Sequence, residues 1–179
     1  MRSNLLRHAW VLVLLLPLAA CGGGGSASSG SGTTPSGGGP PAPAPNVVPV
    51  SANLGVENNY VNGLFVTVTV CVPGTTNCTA VNDVLVDTGS YGLRLLKSAI
   101  GNLPLPQNNA PDGNPLGECA QFAASFDWGP VAEANVEIGG ETATDVPVQI
   151  MGDSSFAGVP SGCSSSGMQE TDTQQDLGA

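Results

Sequence analysis

Residues 84–96 read V-L-V-D-T-G-S-Y-G-L-R-L-L, in which three apolar residues lead into an acid and a second apolar run follows a short polar break. Three consecutive apolar residues of this kind are typical of a strand that is covered on both faces. Gly89 permits a tight turn directly after the strand. Thr88 and Ser90 carry hydroxyl groups that can bond the carboxylate of Asp87. The pattern therefore predicts that a buried strand places one carboxylate in a tight polar loop.

The same stretch resembles the active-site loop of pepsin-like and retropepsin-like aspartic peptidases, where apolar residues precede Asp-Thr-Gly-Ser. This resemblance implies that Asp87 is the candidate catalytic residue. The supporting members of its loop are then Thr88, Gly89 and Ser90. In that family two such aspartates share a proton, so that one carboxyl acts as a base and the other as an acid. The sequence contains a single Asp-Thr-Gly, so catalysis needs a second aspartate from another copy or from a C-terminal half.

An antiparallel hairpin is predicted immediately before the acid. Residues 60–72 alternate valine with threonine or cysteine over most of their length, which indicates a half-buried strand. Residues 73–77 read P-G-T-T-N, which favours a turn, and residues 79–86 return as the next strand. We therefore expect an all-β fold. The resemblance implies a pepsin-like N-terminal lobe of antiparallel hairpins that form a partly closed barrel, present here in incomplete form.

Further strands are predicted downstream, with a turn at residues 129–130 and a tight hairpin at residues 139–140. These strands are residues 119–128, 131–138 and 142–151. After residue 152 the chain is rich in Ser, Gly and Gln, and we find no counterpart of the apolar-apolar-Gly strand that follows in pepsin-like lobes. The β domain is therefore expected at residues 47–152, and a tail is expected at residues 153–179.

A candidate flap precedes the last two predicted strands. Residues 134–140 read A-N-V-E-I-G-G, which is similar to the strands that follow the flap in pepsin-like N-terminal lobes. The resemblance then places Trp128 and Gly129 where that family carries a Tyr-Gly in the flap. Trp128 also fits a second interpretation, an aromatic side chain that packs on the sheet.

The N-terminus carries an export signal. Residues 1–20 contain two arginines and then an apolar run that is too short to span a bilayer, which is typical of a secretory signal peptide. The sequence L-A-A-C at residues 18–21 resembles the lipobox of bacterial lipoproteins and implies that Cys21 is lipidated, whereas a plain signal beside a chance cysteine is the alternative. Gly22 and not an aspartate follows Cys21, a pattern that resembles lipoproteins sorted to the outer membrane in cells that have one. Residues 21–46 are rich in Gly, Ser and Pro, and predict a tether with a reach of roughly 25–30 Å.

Removal of the signal peptide changes the charge of the chain and the chemistry that it can support. Two of the four basic residues and the single histidine lie in residues 1–20. The mature chain therefore keeps two basic residues and fourteen acids, which give it a net charge of 2 − 14 = −12. A surface this acidic excludes binding to nucleic acid or to an anionic bilayer by charge. Without histidine the mature chain cannot form a Ser-His-Asp or Cys-His mechanism or a histidine-bound zinc site. We expect no metal and no cofactor.

Four cysteines remain after Cys21, and an even number predicts disulfides in an exported protein. Cys71 and Cys78 flank the predicted turn and are therefore expected to pair. This leaves Cys119 to pair with Cys163. A metal site is the alternative, but the spacings contain no C-x-x-C and an oxidising compartment disfavours free thiolates.

Three classes of function follow from these features. The motif D-T-G-S-x-G-L-R-L-L resembles one in a family of larger bacterial lipoproteins of unknown function, of which this chain would be the N-terminal half. We predict a lipid-anchored protein of the cell envelope whose aspartic-peptidase-like lobe is not catalytic as this chain alone. The alternatives are an aspartic endopeptidase that acts through Asp87, as a homodimer or with a missing C-terminal half, and a truncated product without a settled function. The expected partners are the bilayer, through acylated Cys21, and a peptide ligand or a second copy, but not nucleic acid.

Overall fold

The computed structural model describes residues 46–169 and 175–178, about half of which lie in β-strands. The predicted signal peptide, Cys21 and nearly all of the predicted tether lie outside the described residues. The strands are β1 (Ser51–Asn53), β2 (Gly63–Cys71), β3 (Cys78–Asp87), β4 (Gly92–Leu96), β5 (Gly117–Gln121), β6 (Ser125–Ile138), β7 (Glu141–Met151), β8 (Met168–Gln169) and β9 (Gln175–Gly178). Helical segments in the same part of the chain are α1 (Lys97–Ile100) and two 3-10 turns, Ser154–Phe156 and Ser164–Ser166.

Six of these strands close into a barrel in the order β2, β3, β9, β4, β7 and β6, and the ring is completed because β6 also pairs with β2. Most neighbouring strands are antiparallel, but β9 is parallel to β3 and β4 is parallel to β7. The remaining strands extend this ring: β1 pairs with β2, and both β5 and β8 pair with β6. The prediction of an all-β fold with a barrel is confirmed.

The core lies inside the barrel and is built from small and branched apolar side chains. Alternation along the strands points every second residue inward, so that each strand contributes a short row of aliphatic side chains. Each large aliphatic side chain that is fully buried contributes about 1.5–3 kcal/mol to folding. The buried members from the barrel strands are Val66, Val68, Val70, Val81, Val84, Leu93, Leu95, Ala132, Ala134, Val136, Val148 and Ile150.

The first hairpin and both disulfides follow the sequence prediction closely. β2 and β3 pair in antiparallel register, with Cys71 opposite Cys78 at the turn. Those two cysteines form one disulfide with a Cα–Cα distance of 4.0 Å. Cys119 and Cys163 form the second, with a Cα–Cα distance of 5.8 Å. The second disulfide attaches β5 to the segment that follows β7.

The hairpin between β5 and β6 differs from the prediction. Its turn lies at residues 122–124, whereas the sequence predicted a turn at residues 129–130, which instead belong to β6. A Cβ atom at Gly129 would clash with the backbone carbonyl of Ile150, so this glycine serves a close approach of β6 to β7. The predicted turn is therefore wrong, because a Gly-Pro pair that looks like a turn is needed here for strand packing.

The β domain also extends past the predicted boundary at residue 152. β9 inserts between β3 and β4, with Gln175 opposite Val84 and Asp176 opposite Arg94. The four residues of β9 read Q-D-L-G and contain one apolar side chain, so no alternation reveals them as a strand. Pairing on both sides holds this strand in the barrel. Residues 175–178 are thus part of the barrel and not of a tail.

Candidate functional site

The loop that carries the candidate acid is supported by three strands. Asp87 is the last residue of β3, and residues 88–91 lead from it into β4. β9 lies between these two strands and places Gly178 opposite both Asp87 and Gly92. A Cβ atom at Gly178 would clash with the backbone of Tyr91. Glycine therefore allows β9 to pack closely against the Asp87 loop.

The carboxylate of Asp87 accepts hydrogen bonds from its own loop. The backbone N–H of Gly89 donates to Oδ1 over 2.8 Å, and the hydroxyl of Ser90 also donates to the carboxylate. Ser90 is the main cause that holds the pKa of Asp87 below its ordinary value, followed by Gly89 and, more weakly, the charge of Arg94. Partial burial opposes them by raising this pKa. Thr88 is exposed. The ionised carboxylate is instead stabilised by the two residues that follow Thr88, Gly89 and Ser90.

Arg94 is buried behind this loop, with 3% of its surface exposed. Its Nη1 donates to Oδ1 of Asp176 over 2.9 Å and to the hydroxyl of Ser90 over 3.4 Å. Its Nη2 donates to the backbone carbonyl of Tyr91 over 2.8 Å. Hydrogen bonds to a charged group are stronger than those between neutral groups. One guanidinium group therefore connects β4, β9 and the Asp87 loop.

Two more acids and an aromatic ring surround the same guanidinium group. Nε lies 3.9 Å from Oδ2 of Asp127, and Nη2 lies 3.9 Å from Oε1 of Glu118. The ring centroid of Phe122 lies 5.7 Å from Cζ, within the range of a cation–π contact. Asp127 and Asp176 are buried, while Glu118 is half-buried. Buried charges of this kind are stable only when they are paired.

An open groove of about 200 Å³ runs between the Asp87 loop and the β5–β6 hairpin. Its walls are residues 89–91 on one side and residues 118–122 on the other, and Arg94 also lines it. Tyr91 is 81% exposed beside the groove and Phe122 is half-buried, so both walls offer an aromatic ring. An exposed concave surface with aromatic and polar groups can hold a ligand.

Trp128 does not lie at the turn of this hairpin. It lies within β6, opposite Cys119, and its indole Nε1 donates to the carbonyl of Phe156 over 2.8 Å. The two aromatic rings are 6.4 Å apart between centroids. These contacts agree with the packing interpretation and correct the prediction of a flap at Trp128 and Gly129. The aromatic residue at the hairpin turn, beside the groove, is Phe122.

Sequence reasoning missed the buried polar cluster of Arg94, Asp127 and Asp176. A signal for the arginine was available, because G-L-R-L-L places one cation inside an apolar strand, where it needs acidic partners. No local pattern names those partners. Asp176 lies 82 residues away from Arg94 along the chain and approaches it only through the barrel.

Metal sites and membrane-spanning helices were also sought in the part of the chain that the structure describes. Within residues 46–169 and 175–178, no three His, Cys, Asp or Glu side chains come together in an arrangement that could hold a metal ion. None of the helices in these ranges combines the length and the apolar character needed to cross a membrane. Cys21, the predicted lipidation site, lies outside them.

Comparison with known proteins gives one match and one negative result. A search of curated proteins finds no match to this chain. A family model described as "Protein of unknown function (DUF3443)" matches residues 42–179, a range that includes the barrel, the Asp87 loop and both disulfides. The chain therefore belongs to the DUF3443 family.

Proposed function

We propose that the protein is an exported, lipid-anchored lipoprotein of the cell envelope whose barrel is a pepsin-like N-terminal lobe. As the isolated chain this lobe binds a ligand, expected to be a peptide, in the groove beside the Asp87 loop and does not cleave it. The Asp-Thr-Gly-Ser sequence at the end of β3 supports the pepsin-like assignment. So does the β5–β6 hairpin, whose turn residue Phe122 lies across the groove from that loop.

The environment of Asp87 carries the non-catalytic part of the proposal. A catalytic pair of carboxylates shares a proton, because repulsion between two close negative charges raises one of the two pKa values. The pKa of Asp87 is lowered, first by the Ser90 hydroxyl, then by the Gly89 N–H, with the Arg94 charge as a weaker cause, and none of these neighbours is a carboxylate that could share its proton. A carboxylate held in its ionised form can accept a hydrogen bond from a ligand. It cannot fill the acid and the base role together.

The isolated mature chain is therefore expected to show no pepstatin-sensitive proteolysis between about pH 3 and 6, the range in which aspartic dyads work. The lowered pKa of Asp87 favours the ionised form of this group at acid pH. The Asp87→Asn variant should match the wild type in activity and in oligomeric state. Cleavage of a denatured protein substrate, with and without pepstatin, and sedimentation velocity measure both properties. Asp112→Asn is the control, because Asp112 is an exposed acid outside the groove whose pKa is also lowered.

A homodimeric aspartic endopeptidase is the second candidate, and one observation favours it. Thr88 and Gly89 are exposed at the end of β3, and the side chain of Tyr91 is 81% exposed. A second copy can therefore reach this loop and place its own Asp87 opposite the first. In that case the dimer would cleave at acid pH, and Asp87→Asn would abolish cleavage while Asp112→Asn would not. This outcome would replace the non-catalytic proposal.

The lipid anchor rests on the L-A-A-C sequence at residues 18–21 and is tested by acylation of Cys21. Cells that express the wild type in the presence of a labelled fatty acid should yield labelled protein, and Cys21→Ser should remove the label completely. Gly22→Ser changes the next residue and keeps the thiol, so it should retain the label. Label that persists in the Cys21→Ser variant, or a wild type without label, would contradict lipidation at this site.

A further inference from the structure

An exposed apolar loop lies near the N-terminal end of the described residues. We call residues 54–64 the apolar loop; it joins β1 to β2 and includes the first residues of β2. Single exposed apolar residues are common on protein surfaces, but several of them within one short segment can form an interaction surface. Here five large apolar residues within eleven positions are exposed, with Val61 at 75%: Leu54, Val56, Tyr60, Val61 and Leu64.

Hydrogen bonds and an aromatic contact hold this loop in shape. The backbone N–H of Tyr60 donates to the carbonyl of Leu54 over 2.8 Å, and that of Asn58 donates to the carbonyl of Gly55 over 3.2 Å. The ring of Tyr60 meets the buried ring of Phe65 edge to face, with 5.9 Å between the centroids. The loop therefore presents its apolar side chains in an ordered backbone, so that binding does not need to order it first.

The distribution of charge identifies the kind of surface that the loop fits. Residues 46–64 contain one charged side chain, Glu57, although the chain carries fourteen acids. The rest of the domain is strongly acidic, so its contact with an apolar or anionic surface contributes little favourable binding free energy. Tyrosine has an apolar ring and a polar hydroxyl, which suits the boundary between lipid and water.

We propose that the apolar loop docks on the surface of the lipid bilayer that holds the protein, an inference that rests on the lipid anchor proposed above. The predicted tether ends at Asn46, eight residues before Leu54. Eight residues span at most about 30 Å, so the start of the loop lies within that distance of the end of the tether. Anchoring raises the local concentration of the loop at the bilayer, so that a weak contact suffices for docking.

Vesicle flotation of the unlipidated chain tests the loop without the anchor. The protein for this test lacks residues 1–20 and carries Cys21→Ser, which leaves every described residue in place. It should float with phosphatidylcholine vesicles, and Val61→Ser should lower the partition coefficient about tenfold, because the burial of one valine side chain in lipid is lost. Met168→Ser is the matched control, since Met168 is 80% exposed on β8 and outside the loop. This control should change the partition coefficient less than twofold.

The lipid composition gives a second, independent result. Replacing 30% of the phosphatidylcholine with phosphatidylglycerol should weaken binding at low salt, because the mature chain carries a net charge of −12. The proposal is overturned if the wild type does not float, or if Val61→Ser and Met168→Ser float equally well. It is also overturned if the chain self-associates in sedimentation and Val61→Ser abolishes that association, because the loop then binds a second copy. Since fatty-acid labelling of Cys21 is measured separately, failure of the loop is distinguishable from failure of the anchor.

Discussion

Replacing Arg94 with methionine is expected to lower the free energy of unfolding by about 3–5 kcal/mol, a large share of the total for a domain of this size. The change removes the guanidinium group that bonds Asp176 and lies 3.9 Å from Asp127, and leaves two buried acids without that cation. It also removes the hydrogen bonds to Ser90 and to the carbonyl of Tyr91. Urea unfolding followed by circular dichroism measures the loss. The pKa of Asp87 should rise as well, because the charge of Arg94 helps to lower it.

Two further variants separate the charge of Arg94 from its geometry. Arg94→Lys keeps a cation but cannot donate to three partners from one planar group. Its free energy of unfolding should therefore lie between that of the wild type and that of the methionine variant. Lys97→Met removes a half-buried cation three residues later, which is not surrounded by buried acids as Arg94 is. This change should lower the free energy of unfolding by less than about 0.5 kcal/mol. Equal stability of Arg94→Met and Lys97→Met would show that the buried cluster does not stabilise the fold.

Removal of the Cys119–Cys163 disulfide by a double change to serine is expected to cost about 4 kcal/mol. The bridge closes a loop with a sequence separation of 44, and restriction of the unfolded chain increases with loop length. The Cys71–Cys78 bridge has a separation of 7, so the same change there should cost about 2.5 kcal/mol. Unfolding midpoints of the two double variants give the comparison.

The longer disulfide also has a local effect that the shorter one lacks. The Nε2 of Gln121 donates to the carbonyls of Gly162 and Cys163 over 2.8 and 3.0 Å, so β5 and this segment are held together at more than the disulfide. Loss of the bridge should therefore loosen the groove wall at residues 118–122, seen as faster hydrogen exchange there. A larger cost for the shorter bridge would contradict the assignment of its stabilising effect to loop length.

The sequence predicts those parts of the fold that depend on neighbours along the chain. Valine alternation and the P-G-T-T-N turn locate β2 and β3 within a few residues, and the same turn brings Cys71 and Cys78 together. β9 could not be found in this way, because its formation depends on two receiving edges from distant strands. Its Asp176 is buried in a barrel strand, where Arg94 donates a hydrogen bond to it.

The candidate site also combines features that depend on the local sequence with features that depend on distant parts of the chain. Asp87, Gly89 and Ser90 are consecutive or nearly so, and their mutual hydrogen bonds follow from the local sequence. The groove wall depends on where the β5–β6 hairpin turns. Because Gly129 is used for strand contact and not for a turn, the sequence placed the wrong aromatic residue beside the Asp87 loop.

The insertion of β9 between β3 and β4 also determines when the barrel can form. The contact between Arg94 and Asp176 spans 82 residues, and the hydrogen bond between Gln175 and Asn82 spans 93. Strand pairs with such sequence separations form late in folding, because the chain loses entropy before the contacts contribute favourable free energy. A chain that is exported from its N-terminus, as proposed, therefore cannot complete its barrel until residues 175–178 are available, and stays open enough to be threaded through a translocation pore.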